Sequence, residues 1–226
     1  MVGACSGGKM ELKIAIENRK SYRVYSSRPV EKNLVKEVLR RAGRAPSALN
    51  VQPWEVTVVM GEELGRLTRR LLRAYRERSV ACTPGAVRPL PERFQERRRE
   101  SFRPLVELLD RERSTLDTFI GEGSCRFYDA PVAIFLCMDR AFSKDRYLCL
   151  GAFLGYLLLA AHDLGLVTCP VGLIAAYDDQ IREHLNIPEA KKVIIAVALG
   201  YADESSPLSH FATPRDSLEN YVRWFM

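Results

Sequence analysis

The first group of residues with the composition of a binding site lies near the start of the chain. It reads Arg19-Lys20-Ser21-Tyr22-Arg23, which places three cations and a serine hydroxyl within five residues. Because a guanidinium group can bind two phosphate oxygens at once, this segment is a candidate anion site. The alternative is a solvated helix end whose cations offset the negative end of the helix dipole. Taken alone, the local sequence favours that alternative.

Two loops provide further candidates. The first, Pro46-Ser47-Ala48-Leu49-Asn50-Val51-Gln52-Pro53-Trp54, carries hydrogen-bonding side chains between prolines and could bind the edge of a heterocycle. It could equally be an ordinary loop that caps the following strand. The second, Cys169-Pro170-Val171-Gly172, lies where a buried strand is expected to end. Ligands of open α/β sheets often lie beyond strand ends, and glycine lets a ligand approach the backbone closely, although this pattern is weak alone.

The sequence lacks the motifs of several other classes of binding and catalytic site. The sequence contains no P-loop, no G-x-G-x-x-G and no G-x-S-x-G, and its histidines are scattered. His162 follows an apolar helix and is interpreted as a boundary histidine, so no catalytic acid or base is assigned. No two of the six cysteines have metal-site spacing, which predicts structural thiols in a reduced, cytoplasmic protein. The cysteines are Cys5, Cys82, Cys125, Cys137, Cys149 and Cys169.

Alternating helices and strands must position these candidates. Apolar residues at helical spacing predict four helices, at Met10–Asn18, Glu31–Ala42, Tyr147–Ala161 and Asp178–Leu185. Continuous or β-branched apolar runs predict four strands, at Glu55–Met60, Val132–Met138, Val167–Gly172 and Val193–Leu199. This alternation indicates a mixed architecture in which helices cover a sheet.

The most apolar stretch is Tyr147–Ala161, which has no charge, no proline and no β-branched residue. Its 15 residues form a helix that is shorter than the roughly 20 needed to cross a bilayer. Since it is apolar on every side, we expect it to be buried all round. Gly151 and Gly155 share one face and would let another backbone come close, either within one subunit or between two subunits.

The composition fits one large domain, or one domain with an insertion. The chain has 226 residues, of which 47% are hydrophobic, and a net charge of +6 that favours anionic ligands. Twelve arginines and four glutamates lie between Arg66 and Arg103, so an arginine-rich helical insertion is expected at about 62–125. The apolar residues of the tail, 214–226, predict that it docks on a surface.

The order of these motifs is more specific than any one of them. The chain resembles the nitroreductase family of FMN-dependent enzymes from about Met10 to Trp224, apart from roughly 62–125. The motifs that carry the resemblance are R-x-S-x-R at 19–23, A-P-S-x-x-N-x-Q-P-W at 45–54, Asp-Ala-Pro at 129–131, L-G-L-x-T-C-x-x-G at 164–172 and L-G-Y at 199–201.

The resemblance implies an α+β nitroreductase-like fold in which helices flank a central mixed or antiparallel sheet. It implies a single domain, 1–226, in an intertwined homodimer whose C-terminal tail wraps the partner and whose interface holds two FMN sites. Pro46, Ser47 and Asn50 would come from the partner chain. The residues expected to bind the flavin are Arg19, Lys20, Ser21, Arg23, Pro46, Ser47, Asn50, Pro170, Val171, Gly172 and Arg215.

The resemblance also implies roles for several of these residues. Arg19 and Ser21 would lie nearer the flavin phosphate, which Arg215 would complete. Arg23 would lie near the ring N1 and C2 carbonyl, and the Gly172 N–H is a candidate donor to N5. Family members often carry two basic residues near Arg215, whereas here Thr213 and Pro214 precede it.

The expected activity is reduction of nitroaromatics, quinones or related electron-poor molecules by NADH or NADPH, in ping-pong turnover without a metal. One alternative is a specialised enzyme of the same fold that fragments flavin or removes halogen reductively. Another is a non-catalytic flavin or polyanion-binding module, in which the arginine-rich segment contacts nucleic acid. Because charge runs are usually solvated faces, nucleic acid and membrane partners are not expected.

Overall fold

A computed structural model describes residues 10–80, 88–111 and 114–226 of the chain. Four strands form one antiparallel sheet in the order β1-β2-β4-β3. The strands are β1 (Glu55–Met60), β2 (Val132–Asp139), β3 (Val167–Val171) and β4 (Lys191–Gly200). The helices in the described residues are α1 (Leu12–Asn18), α2 (Lys32–Ala42), α3 (Gly61–Glu77), α4 (Glu92–Arg111), α5 (Leu116–Cys125), α6 (Tyr147–Asp163) and α7 (Asp178–Leu185). The predicted α+β class is confirmed.

The sheet is covered by helices on both faces, which is why β2 is apolar from Val132 to Met138. Ile134 and Leu136 point toward α2 and α6 on one face, whereas Phe135 and Cys137 pack with α3 and α7 on the other. All three residues Ile134, Phe135 and Leu136 are fully buried. A continuous apolar run therefore specifies a central strand here, as the sequence predicts.

Helix α6 departs from its prediction in one respect. Phe153 and Leu157 are buried against the sheet, but Leu148 and Tyr156 are 81% and 46% exposed. The expectation of burial on all sides is therefore wrong for the single chain. A uniformly apolar composition indicates that every face needs cover, but it does not say which chain provides that cover.

The glycines of α6 make no room for any other part of the chain that the structure describes. A Cβ added at Gly151 or at Gly155 would meet no atom within 4 Å there. Of the two explanations for their spacing, close packing inside one subunit thus has no support among the described residues. Helix α6 ends at Asp163, two residues beyond the predicted Ala161, and Gly165 then takes a φ of +74° and donates its N–H to the His162 carbonyl at 3.0 Å.

The arginine-rich region contains helices of different character. Helix α3 buries Leu64, Leu67 and Leu71 in the main core, so it is part of the body of the domain. Helix α4 lies further out and packs through Leu105 and Leu109. The proline and glycine of Thr83-Pro84-Gly85 predict a break in this helical region, but the segment lies outside the described residues, as do Cys5 and Cys82. The boundaries of the insertion stay a prediction.

The apolar end of the C-terminal tail is exposed in the single chain, although Asp216 near its start forms an ion pair with Arg97 of α4. After a short 3-10 turn at Leu218–Asn220, Trp224 and Phe225 are 73% and 93% exposed. Its expected docking on a partner chain stays a prediction. Within the described residues, no helix combines the length and the apolar character that a membrane span requires.

Candidate functional site

The first and third candidate segments lie side by side at the free edge of β3. Ser21 forms a parallel bridge with Thr168, and the Tyr22 N–H donates to the Thr168 carbonyl at 2.9 Å. The Tyr25 hydroxyl, buried beneath them, donates to the Ala198 carbonyl of β4 at 3.2 Å. The structure thus places Arg19–Arg23 against the strand that ends in Pro170, Val171 and Gly172.

The cations of this edge lack acidic partners. In residues 10–80, 88–111 and 114–226, no carboxylate oxygen lies within 4 Å of a side-chain nitrogen of Arg19, Lys20, Arg23 or Arg215. Burial, and then the nearby charge of Arg215, lower the pKa of Arg19. Two guanidinium charges that affect each other, neither with a carboxylate within 4 Å in the described residues, form a site suited to an anion.

Local contacts fix the direction of Arg215. Its Nη1 donates to the Thr213 carbonyl at 3.0 Å, to the Thr213 hydroxyl at 2.9 Å and to the Pro214 carbonyl at 3.0 Å. Lys20 lies 4.9 Å from the centre of the Tyr22 ring, and burial is the main cause that lowers its pKa. The site therefore holds its cations by backbone and aromatic contacts, which leave their charges available.

Arg23 has a buried donor that the described residues do not satisfy. Its Nε has no hydrogen-bond partner there, while its guanidinium carbon lies 6.0 Å from the centre of the Tyr128 ring. A buried donor that makes no hydrogen bond costs free energy. The unsatisfied Nε of Arg23 therefore indicates that an acceptor belongs beside it.

Sequence reasoning missed Tyr128, which a strained turn holds beside Arg23. Phe127, Tyr128 and Asp129 have φ values of 52°, 54° and 60°, in the left-handed region that side chains disfavour. A Cβ added at Gly123 would lie 2.5 Å from the Tyr128 ring, so α5 packs closely against it. The segment contains no glycine or asparagine to mark such a turn, and only its position before the Asp-Ala-Pro motif could have drawn attention to it.

The end of β3 presents backbone and apolar surface. Val171 is buried, and a Cβ added at Gly172 would meet no atom within 4 Å, so space lies in front of that residue. Burial raises the pKa of the adjacent Cys169 to about 11, which keeps it a neutral thiol. Cys125, Cys137, Cys149 and Cys169 are free and buried, as expected for structural thiols.

The second candidate loop lies at the opposite edge of the sheet. Pro46, Ser47 and Asn50 precede β1, and β1 and β3 are the two outer strands, roughly 14 Å apart at normal strand spacing. The loop bonds within itself, since the Ser47 hydroxyl accepts from the Gln52 N–H at 3.0 Å. A single chain therefore does not bring these residues to Arg19–Arg23, and their arrival from a partner stays a prediction.

Among the described residues, no three histidine, cysteine, aspartate or glutamate side chains cluster in a way that could hold a metal ion. The site is instead a row of cations, an unsatisfied arginine donor and an open strand end. A bound group would need an anionic end and a hydrogen-bonding, partly apolar end. Those are the properties of a phosphorylated heterocycle.

Comparisons with known proteins agree with this geometry. A family model described as the nitroreductase family matches residues 16–201. The chain is 34% identical over 215 residues to a chloronitrobenzene nitroreductase of Comamonas testosteroni, covering 92% of this chain and 93% of that protein. It is 30% identical to a 4-nitrobenzoate reductase of Nocardioides sp. (strain LMS-CY), covering 92% and 87%. The FMN-dependent nitroreductase NfnB from Mycobacterium smegmatis in complex with NADPH matches with a TM-score of 0.85 at 29% identity, covering 95% and 97%. The chain belongs to the nitroreductase family.

Proposed function

We propose that this chain is an FMN-dependent oxidoreductase that uses NAD(P)H to reduce nitroaromatic or related electron-poor compounds in ping-pong turnover. The observation that carries the proposal is the buried Nε of Arg23, which has no partner in the described residues, in a segment whose Arg19 senses the charge of Arg215 and has no carboxylate within 4 Å there. The similar chloronitrobenzene nitroreductase and 4-nitrobenzoate reductase support a nitro group as the acceptor.

The residues present fit flavin mononucleotide. Arg19 and Arg215 would hold its phosphate, with Lys20 and the Ser21 hydroxyl nearby. Arg23 would donate toward the N1 and C2 carbonyl edge of the ring. Pro170, Val171 and Gly172, at the open end of β3, would lie against the ring itself.

Bound FMN would supply the hydride chemistry between the nicotinamide and the acceptor. The chain would bind and orient the flavin and would set the charge around it. The positive charge of Arg23 would stabilise negative charge that reduction leaves near N1. Cys169 stays protonated because its pKa is raised to about 11, so it does not place a second negative charge beside the ring.

The complete site would need two copies of the chain. Three features lack cover in one chain: the face of α6 that carries Gly151 and Gly155, the loop with Asn50, and the apolar tail. A symmetric dimer would bury the first and third, and would bring Asn50 of one copy to Arg19 of the other. The cytoplasmic location stays a prediction.

A polyanion-binding role has less support from the geometry. Arginines of the arginine-rich region pair with carboxylates, for example Arg66 with Glu63 at 2.7 Å and Arg99 with Glu92 at 2.7 Å. Paired arginines have less net charge to offer a phosphate backbone. We therefore expect weak and salt-sensitive binding of nucleic acid at most.

An absorbance spectrum of the purified protein tests the proposal. Flavin bands near ~450 nm should bleach on anaerobic addition of NADH or NADPH and return when chloronitrobenzene or 4-nitrobenzoate is added. Comparing the bleaching by NADH with the bleaching by NADPH at equal concentration shows which nicotinamide the enzyme prefers. A colourless protein that cannot be reconstituted with FMN would overturn the proposal.

A further inference from the structure

Asp216 connects the C-terminal segment to helix α4. Its Oδ2 forms an ion pair with Arg97 of α4. Its Oδ1 accepts from the Ser217 N–H at 3.1 Å and from the Asn220 side chain at 2.6 Å. The Asp216 side chain is only 23% exposed, so this carboxylate is a partly buried junction with three donors.

Apolar packing holds the same two elements together. Leu105 and Leu109 of α4 cluster with Phe211, which precedes Asp216 in the chain. Between the polar side of α4 and the tail lies a cavity of about 410 Å³, whose lining includes Arg97, Asp216 and Arg215. The ion pair thus lies in the same cavity as the arginine expected at the flavin phosphate.

Arg215 has little else to fix its position. Its hydrogen bonds within the described residues go to Thr213 and Pro214, which are at most two positions away in the chain. Such local bonds set the side chain relative to its own backbone but do not set where that backbone lies. Asp216, the next residue, is the point at which the backbone is tied to another element.

We infer that the Arg97–Asp216 ion pair positions Arg215 beside Arg19, so that α4 contributes to binding of the cofactor phosphate. The inference rests on the proposed function, which places Arg215 at that phosphate. Arg97 is a positioning residue, because it acts through Asp216 and the backbone. The competing view is that this is an ordinary surface ion pair, which contributes little to stability and nothing to ligand affinity.

Flavin affinity of the full chain separates the two views. FMN and riboflavin are titrated into flavin-stripped wild type, Arg97→Gln, Asp216→Asn and the double variant, with binding read from flavin fluorescence. We expect each single variant to raise the FMN dissociation constant about fivefold or more, the lower end of usual coupling between sites. Riboflavin, which lacks the phosphate, should bind within about twofold of wild type. The double variant should be no worse than either single variant, because both remove the same contact.

Two further variants serve as controls. Arg99→Gln removes a neighbouring arginine of α4 that pairs with Glu92 at 2.7 Å, and should leave both affinities unchanged. Arg97→Lys retains the charge opposite Asp216 and should keep the FMN affinity close to that of wild type. Thermal melting of each flavin-free variant verifies that it is folded before its affinity is compared.

The outcomes distinguish this inference from the proposed function. If Arg215→Gln weakens FMN more than riboflavin while Arg97→Gln has no effect, the positioning role is wrong and the phosphate site stands. If Arg97→Gln weakens both flavins equally, its role is general packing, which also overturns the inference. If Arg215→Gln itself leaves the FMN affinity unchanged, the phosphate site is misplaced and both proposals fail.

Discussion

Substitutions at Gly155 test whether a second copy of the chain covers the open face of α6. Because an added Cβ meets no atom within 4 Å in the single chain, Gly155→Ala would introduce no clash there. Alanine is preferred over glycine inside a helix by about 0.8–1.0 kcal/mol. An isolated chain should therefore become more stable by about that amount.

The sign reverses if Gly155 packs against a partner helix. Overpacking of a close contact typically costs about 1–3 kcal/mol per site, and a two-fold axis applies it twice. The helix-propensity gain of about 1 kcal/mol per chain offsets only part of this cost. Gly155→Leu places a larger side chain at the same position and should weaken the dimer further.

Gly65 in α3 is the matched control. It also lies inside a helix, and a Cβ there would be 3.6 Å from Arg69 Nη1, an ordinary contact. Gly65→Ala should thus stabilise the chain whether it is a monomer or a dimer. Denaturant unfolding at two protein concentrations gives the stabilities, and sedimentation read at the flavin band gives the mass of the species that carries FMN.

The dimer hypothesis has a specific point of failure. If Gly155→Leu unfolds at the same or higher denaturant concentration and sediments as the wild type does, this part of α6 is not an interface. If the variant is monomeric and still carries one FMN per chain, then Asn50 of a second copy is not needed. That second result would refute the composite site even if the enzyme remained active.

Three further predictions concern single side chains. Arg19→Ala should weaken FMN far more than riboflavin in fluorescence titrations, because a hydrogen bond to a charged group contributes about 1.5–3 kcal/mol; equal losses would place Arg19 away from the phosphate. Arg98→Gln should raise the apparent KM for 4-nitrobenzoate at low salt if α4 attracts anionic substrates, and an unchanged KM would make Arg98 a solvated surface residue. Iodoacetamide should label Cys169 slowly at pH 8 and faster toward pH 11, since its pKa is raised to about 11; rapid labelling of native protein at pH 8 would contradict that burial.

Local patterns predicted most elements because their ends are marked in the sequence. Strand β1 and helix α7 have the predicted bounds, Glu55–Met60 and Asp178–Leu185, and α2 begins one residue later than predicted. Helix α6 shows the limit of such patterns. Its apolar composition predicts that every face is buried, but it does not predict whether the same chain or a second chain buries it. The exposed Trp224 and Phe225 of the tail present the same ambiguity.

The assembly of the site depends on contacts that no local pattern contains. Ser21 and Thr168 are far apart in the sequence, and their pairing is what joins the cations to the end of β3. The order of motifs, through the family resemblance, suggested this neighbourhood, whereas hydrophobic periodicity did not. Tyr128 was missed because Phe127 and Tyr128, which take left-handed conformations, are not residues that usually form such turns, and their close packing against α5 is not visible in the sequence.

Helix α4 lies in the segment that contains none of the motifs carrying the family resemblance, yet it contacts the tail that carries Arg215. A substitution in α4 can therefore change turnover through two physical routes. Loss of an exposed cation such as Arg98 changes the approach of a charged substrate, an effect that salt screens. If Arg97 positions Arg215 as inferred above, its loss would instead weaken the hold on the cofactor phosphate and lower the fraction of loaded enzyme. The first effect would depend on salt concentration, whereas the second would change the flavin content of the enzyme. Measuring the salt dependence and the flavin content together with each turnover rate therefore identifies which effect a given α4 residue has.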